Sequence, residues 1–345
     1  MSLTGRQVQL TAYPDGEVRQ SDFRIVEVNV LGPGPGEVLV RNTWTSVDAG
    51  LRLRLREKGP DGYFAAFPLG VPMDQIKTVG EVVESRAEGF ERGDTVWHAS
   101  GWRDYSVIKA GDQALAGLGA LRRLDVETAP PQAYLGVLGG NGLTAYAGLF
   151  RVGELRDGDV VWVSAAAGAV GSLVAQMAKI RGHYVVGSAG SEEKVRDLRD
   201  VLGLDAAFNY KDGSLPERLR QAAPDGIDLY FDNVGGDHLR AALGALRPWG
   251  RVAMCGTISD YDAATPAPGP DNLFQAVANN LTLRGFRGSA NVDLLGDMLR
   301  DVGGWLREGR IRSRETVVDG LENAPEALAR LMRGDTTGKT LVRIA

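Results

Sequence analysis

Between Asp159 and Phe286 the sequence alternates short apolar, β-rich runs with segments whose apolar residues recur at helical spacing, and this restricts the chain to a small set of folds. Asp159 to Ser164 (DVVWVS) reads as a strand, Ala169 to Arg181 as a helix, His183 to Gly187 as a strand and Glu192 to Leu202 as a helix. Ala206 to Asn209, a helix near Ser214 to Ala222, Ile227 to Asp232, a helix over Asp237 to Leu246, Arg251 to Cys255 and Leu281 to Phe286 continue the series. Strands joined through helices pair in parallel, so the expected product is a doubly wound α/β sheet.

The flanks read differently. The first 125 residues are mostly β, with strands expected at Ser21 to Val30, Gly36 to Asn42, Thr78 to Ser85, Gly93 to His98 and Trp102 to Lys109. Such spacing predicts a barrel-like domain. After the sheet come a long helix, Val292 to Arg307, and a tail with a strand, a helix (Ala324 to Arg333) and a last strand (Thr340 to Ile344) that returns to the first domain. Ala263 to Pro270 reads as a loop, and at 345 residues the chain has room for two domains.

Composition narrows the function. A net charge of −5 offers no basic field for nucleic acid. One cysteine excludes an internal disulfide and a four-cysteine zinc site, and His98, His183 and His238 have no metal-ligand spacing, so no metal is expected. Neither a signal peptide nor an apolar run long enough to span a membrane is present, so no membrane partner and a cytoplasmic location are expected.

The segment Val163-Ser164-Ala165-Ala166-Ala167-Gly168-Ala169-Val170-Gly171 joins an expected strand to an expected helix. Free N–H groups and a positive dipole at a helix start suit a pyrophosphate, although Ala166 takes the first glycine position of the usual G-x-G-x-x-G. The next strand ends Val186-Gly187-Ser188-Ala189-Gly190-Ser191, with no acid to hold a ribose 2′-hydroxyl and with Lys194 just beyond. That favours a 2′-phosphate, hence NADP. Thr336 to Thr340 fails as a P-loop, because Arg333 stands at its first glycine and the segment precedes a strand. G-x-S-x-G and H-E-x-x-H are both absent, and Cys255 reads better as a small core residue than as a nucleophile.

In order along the chain, FERGDTVWHASGWRDYSVI (Phe90 to Ile108), LGVLGGNGLTAYAGL (Leu135 to Leu149), Ala165 to Gly171, GSEEK (Gly190 to Lys194), FNYK (Phe208 to Lys211), DNVGG (Asp232 to Gly236), CGTISDY (Cys255 to Tyr261) and Gly338-Lys339 resemble the medium-chain dehydrogenase/reductase superfamily. The likeness is to its zinc-free group of NADPH-dependent alkenal and one double-bond reductases, which includes prostaglandin and curcumin reductases. The resemblance implies a Rossmann sheet inserted into a mostly β, GroES-like substrate domain, with 1–130 and 313–345 forming the latter and 131–312 the former. It also implies a homodimer paired near Leu281 to Phe286.

The resemblance assigns the residues as follows. Ala167, Gly168, Ala169 and Val170 line the pyrophosphate turn; Lys194 and Tyr210 hold the 2′-phosphate, and Ser188 at the strand tip is a further cofactor-binding residue. Asn233 touches ribose or nicotinamide. Thr144, the backbone of Cys255, Gly256 and Thr257, and Phe286 with Gly288 approach the nicotinamide, and Thr336 supplies a further cofactor contact. Tyr261 carries the active-site hydroxyl, stabilising the enolate formed when hydride reaches the β-carbon of an enone. The expected reaction is therefore zinc-free, NADPH-dependent C=C reduction; the alternative is a zinc-free quinone or carbonyl reductase. Departures from the family pattern are Gly50 where a pocket tyrosine is usual, Gly140 and Asn141 where methionine and proline are usual, and Thr336 where asparagine is usual. Less bulk at these positions implies a broader or reshaped substrate pocket, with Tyr63, Phe64 and Phe67 of the Leu53 to Ile76 stretch either on its rim or packed in an ordinary loop.

Overall fold

The structure, a computed structural model, describes residues 3–111, 120–263, 265 and 268–345; residues 264, 266 and 267 of the expected 263–270 loop lie outside it. The chain forms two compact units, one of Met1–Gly139 with Glu315–Ala345 and one of Gly140–Arg314. The segment before Gly140 belongs to the first because its 3-10 turn Pro131–Leu135 packs on strands of that unit.

The first unit begins with β1 (Leu3–Leu10) and β2 (Phe23–Val30), antiparallel from Leu3↔Val30 to Leu10↔Phe23. β1 is not evident in the sequence, since only Val8 and Leu10 mark its buried face. Then follow β3 (Glu37–Val47), β4 (Thr78–Ser85), β5 (Thr95–His98), β6 (Tyr105–Lys109) and the short β7 (Arg122–Arg123). β3 runs five residues beyond the expected end, where buried hydroxyls replace apolar side chains: Thr45 Oγ1 lies 3.0 Å from Thr78 Oγ1.

The second unit contains α1 (Gly140–Tyr146), β8 (Val160–Val163), α2 (Ala169–Ile180), β9 (Tyr184–Ala189), α3 (Glu192–Arg196), β10 (Ala206–Asn209), α4 (Leu215–Ala222) and β11 (Ile227–Asp232). It continues with α5 (Gly236–Ala245), β12 (Leu246–Met254), α6 (Phe274–Ala278), β13 (Thr282–Gly285) and α7 (Leu295–Arg307). The expected long helix from Val292 starts late. Asn291 turns its side-chain amide back onto the Arg287 carbonyl (3.0 Å) and leaves helical backbone angles, so a 3-10 stretch precedes α7.

Back in the first unit, β14 (Glu315–Asp319), α8 (Ala324–Arg333) and β15 (Lys339–Arg343) complete a sheet ordered β14-β15-β3-β4-β5-β7, with β6 also on β3. Through the antiparallel pairing of β15 with β3 the tail is part of this β unit. Its core gathers Trp102, Phe67, Phe23, Leu55 and Leu328.

The strand order of the second unit is β10-β9-β8-β11-β12-β13, every pair parallel. This is the Rossmann order, whose direction of winding reverses between β8 and β11. Ligands of open α/β sheets bind outside the carboxyl ends of the strands at that reversal. Beneath it the core is aromatic: Trp162 stacks on Tyr230 at 4.3 Å between centroids. No helix of the described residues is long and apolar enough to cross a membrane.

Candidate active site

The turn from β8 to α2 is tight. Ala166 N–H donates to the Ser188 carbonyl (3.0 Å), and Gly168 N–H closes the turn onto the Ala165 carbonyl (2.9 Å). Closure places Ala165 at φ +46°, a left-handed conformation that alanine adopts at a cost of about 1–2 kcal/mol. A Cβ on Gly171 would lie 2.4 Å from the Ala165 carbonyl oxygen, so only glycine lets α2 pack this close to the turn. No side chain caps α2 at Gly168, and the first helical bond runs from Ser172 N–H to Gly168. The amides of Ala169, Val170 and Gly171 therefore lack intrahelical acceptors and carry the positive end of the dipole. Ala167 is buried, while Gly168, Ala169 and Val170 are half-buried, so the turn offers backbone rather than side chains.

At the tips of β9 and β10, Tyr210 N–H bonds to the Ala189 carbonyl (3.1 Å). Tyr210 leans over Gly190 and meets His238 edge-on at 4.9 Å, while Lys194 lies in the first turn of α3, its N–H on Ser191 Oγ. Ser188 is different: it is fully buried, and its hydroxyl accepts from Trp162 Nε1 (3.3 Å), which commits that side chain to the core.

Between β11 and β12 a polar network fixes two loops. The Asp232 carboxylate accepts from Tyr230 Oη (2.7 Å), Val234 N–H (3.0 Å) and Gly235 N–H (2.8 Å). Burial pushes this carboxyl up, against the pull of those donors. Asn233 donates its amide to the Ser164 carbonyl (2.7 Å), tying the end of β11 to the end of β8. The loop after β12 is laced to the same region: Cys255 N–H and Gly256 N–H bond to the Asp232 carbonyl, and Ser259 Oγ to the Val234 carbonyl. Thr257 packs on Gly235, where a Cβ would approach its Cγ2 to 2.9 Å. Tyr261 folds back so that its hydroxyl lies 2.9 Å from where a Gly256 Cβ would be. Desolvation, reinforced by Asp232, pushes the Cys255 thiol up to about 12, so it stays protonated and is not a nucleophile at neutral pH.

Thr144, on α1, donates its hydroxyl to the Gly140 carbonyl (2.7 Å), and Gly288 packs directly against it; a Cβ there would lie 2.1 Å from Thr144 Oγ1. Phe286 turns its ring toward Phe231, edge-on at 6.0 Å, and against Gly148. Asn141 Oδ1 is buried and finds no partner among the described residues.

The first unit holds Thr336, buried just before β15. Beside it in sequence, Lys339 of the Gly338-Lys339 segment joins a charge cluster with Asp48 and Lys77. Lys339 Nζ bonds to the Val47 carbonyl (2.7 Å) and Asp48 Oδ1 (2.8 Å), and Lys77 Nζ reaches Asp48 Oδ2 (3.1 Å). Burial pushes the Asp48 carboxyl up, but the two ammonium groups outweigh it and hold Asp48 well below the usual carboxylate range. The 3-10 helix that follows, Ala49–Arg54, contains Gly50. Its missing side chain does not leave open space, because Tyr63 Oη comes within 2.7 Å of the Cβ position. Phe67 is core, with the Arg54 guanidinium 3.7 Å over its ring.

Residues 6–115 match a family model described as the N-terminal domain of oxidoreductase, and residues 169–300 one described as zinc-binding dehydrogenase. Among the described residues no three His, Cys, Asp or Glu side chains cluster as metal ligands would. The NADP-dependent 2-alkenal reductase of Nicotiana tabacum is 38% identical over 99% of this chain and 98% of its own. The NADPH-dependent curcumin reductase of Escherichia coli (strain K12) is 36% identical over 99% and 97%. The crystal structure of CurA in complex with NADPH from Vibrio vulnificus matches with a TM-score of 0.91 at 34% identity, covering 99% of each chain. The chain is an oxidoreductase of the medium-chain dehydrogenase/reductase superfamily and belongs to its zinc-free group of alkenal and enone double-bond reductases.

Proposed function

We propose that the protein reduces the C=C bond of α,β-unsaturated aldehydes and ketones with NADPH. The observation that carries this is the seat of Tyr261, whose hydroxyl is folded over Gly256 at the carboxyl end of the parallel sheet, two strands from the β8–α2 turn. The donor set fits the cofactor. Uncapped amides at the start of α2 receive the pyrophosphate. Lys194 and Tyr210 receive the 2′-phosphate at a strand tip without an acid. Bound NADPH supplies a hydride to the substrate's β-carbon. Tyr261 then donates a hydrogen bond to the carbonyl oxygen as negative charge grows there, and a proton completes the saturated product at the α-carbon. Asn233 and Asp232 keep the two loops in place through their bonds to Ser164, Val234 and Gly235.

Steady-state NADPH consumption tests this with a matched pair, a conjugated enal and its saturated aldehyde. Consumption with the enal alone is expected. Equal consumption with both would overturn the C=C assignment.

Pairing of two copies belongs to the same reading. β13 ends its sheet, and nearby Trp249, Phe274 and Val277 are 69%, 74% and 70% exposed. Sedimentation of Val277→Asp should show a monomer where the parent chain shows a dimer.

A further inference from the structure

We propose that Lys211 is a second cation of the 2′-phosphate site and helps set the preference for NADPH over NADH; this rests on the cofactor reading above. Lys211 follows Tyr210 at the end of β10, and both side chains converge on one residue of the β9 tip. A Cβ on Gly190 would lie 3.3 Å from Tyr210 Cε1 and Oη and 3.4 Å from Lys211 Cε. The lysine stem thus crosses the backbone at the position where NAD-selective sheets carry a carboxylate. Its approach is built in: Lys211 N–H donates to Asn209 Oδ1 (3.2 Å), and Nζ sits 5.9 Å from the Tyr210 ring centroid. The Tyr210 ring is in turn seated on His238.

Charge supplies the second argument. Glu192, Glu193 and Asp212 are exposed close by in sequence and set a negative background. A 2′-phosphate carries about −1.5 to −2 at neutral pH, more than one lysine neutralises, and a lysine acts as a single point charge. Lys211 is exposed at this tip. A side chain at Gly190 would require Tyr210 and Lys211 to give by a few tenths of an ångström.

Calorimetric titration of the full chain with 2′,5′-ADP and with 5′-AMP tests this without turnover. The parent chain should bind 2′,5′-ADP at least about tenfold more tightly. Lys211→Ala should weaken 2′,5′-ADP about five- to tenfold and leave 5′-AMP unchanged, and Lys211→Arg should keep most of the preference. If Lys211→Ala retains the full preference, or loses both ligands equally, the role of Lys211 is wrong while the cofactor reading stands. If the parent chain does not distinguish the two ligands, the cofactor reading itself fails, and Lys211 with it.

Discussion

The hydroxyl of Tyr261 lies 2.9 Å from the point where a Cβ on Gly256 would be, so the phenol and the strand-end backbone occupy adjoining space and each limits the other. Replacing the hydroxyl removes one donor to developing charge. Tyr261→Phe should lower kcat about 10²-fold and leave NADPH affinity unchanged, as measured by steady-state kinetics beside fluorescence titration. Gly256→Ala should lower kcat in the same direction by displacing the hydroxyl. Full turnover in Tyr261→Phe would remove Tyr261 from the mechanism.

Lys194 should act on one cofactor only. Lys194→Ala is expected to weaken NADPH binding about 10- to 100-fold, the range of a lost charge-assisted contact, and to spare NADH. Binding isotherms for the two cofactors decide it. Equal losses would mean that Lys194 does not read the phosphate.

The β8–α2 turn makes the opposite prediction. Gly171→Ala forces a methyl to within 2.4 Å of the Ala165 carbonyl oxygen unless the helix shifts. It should cost about 1–3 kcal/mol of stability and weaken NADPH and NADH by the same factor. Thermal unfolding and the same isotherms check this, and a selective loss of NADPH would count against a shared pyrophosphate turn.

His98 should give the fold an acid-sensitive term. Ser100 N–H donates to its Nδ1 (3.1 Å), which leaves Nε2 to donate to Asn42 Oδ1 (3.0 Å), so the ring is neutral. Burial, with a smaller push from the Arg103 charge, pulls the imidazole down to about 3, against about 6.5 in an unfolded chain. Between these values the unfolded chain binds a proton that the native ring refuses, so stability falls as the pH drops through that window. Urea midpoints of His98→Asn should fall less steeply from pH 7 to 4 than those of the parent chain. Parallel curves would show that His98 contributes nothing to the acid limb.

Much of the sheet was legible because a fully buried parallel strand must be apolar. Val160–Val163 and Ile227–Asp232 stand out for that reason, and so does the glycine-bearing turn between β8 and α2. β1 is poorly marked because its alternation is confined to Val8 and Leu10, with Thr4, Gly5 and Arg6 before them. Within the site, residue types were readable but their commitments were not. Ser188 looked available at a strand tip, yet its hydroxyl bonds to Trp162 in the core. Asp232 carried no signal beyond preceding Asn233, although it organises both loops. Gly50 implied added room, which Tyr63, thirteen residues on, takes up. Contacts between distant side chains have no spacing rule in sequence, so only the folded chain displays them.

Transfer of label tests the central claim most directly. The protein is incubated with NADPH deuterated at C4 on the transferring face and a conjugated enal, and the product is identified by mass and proton NMR. A saturated aldehyde with deuterium on the β-carbon is the predicted result. An allylic alcohol with deuterium on the former carbonyl carbon would contradict it and make the protein a carbonyl reductase.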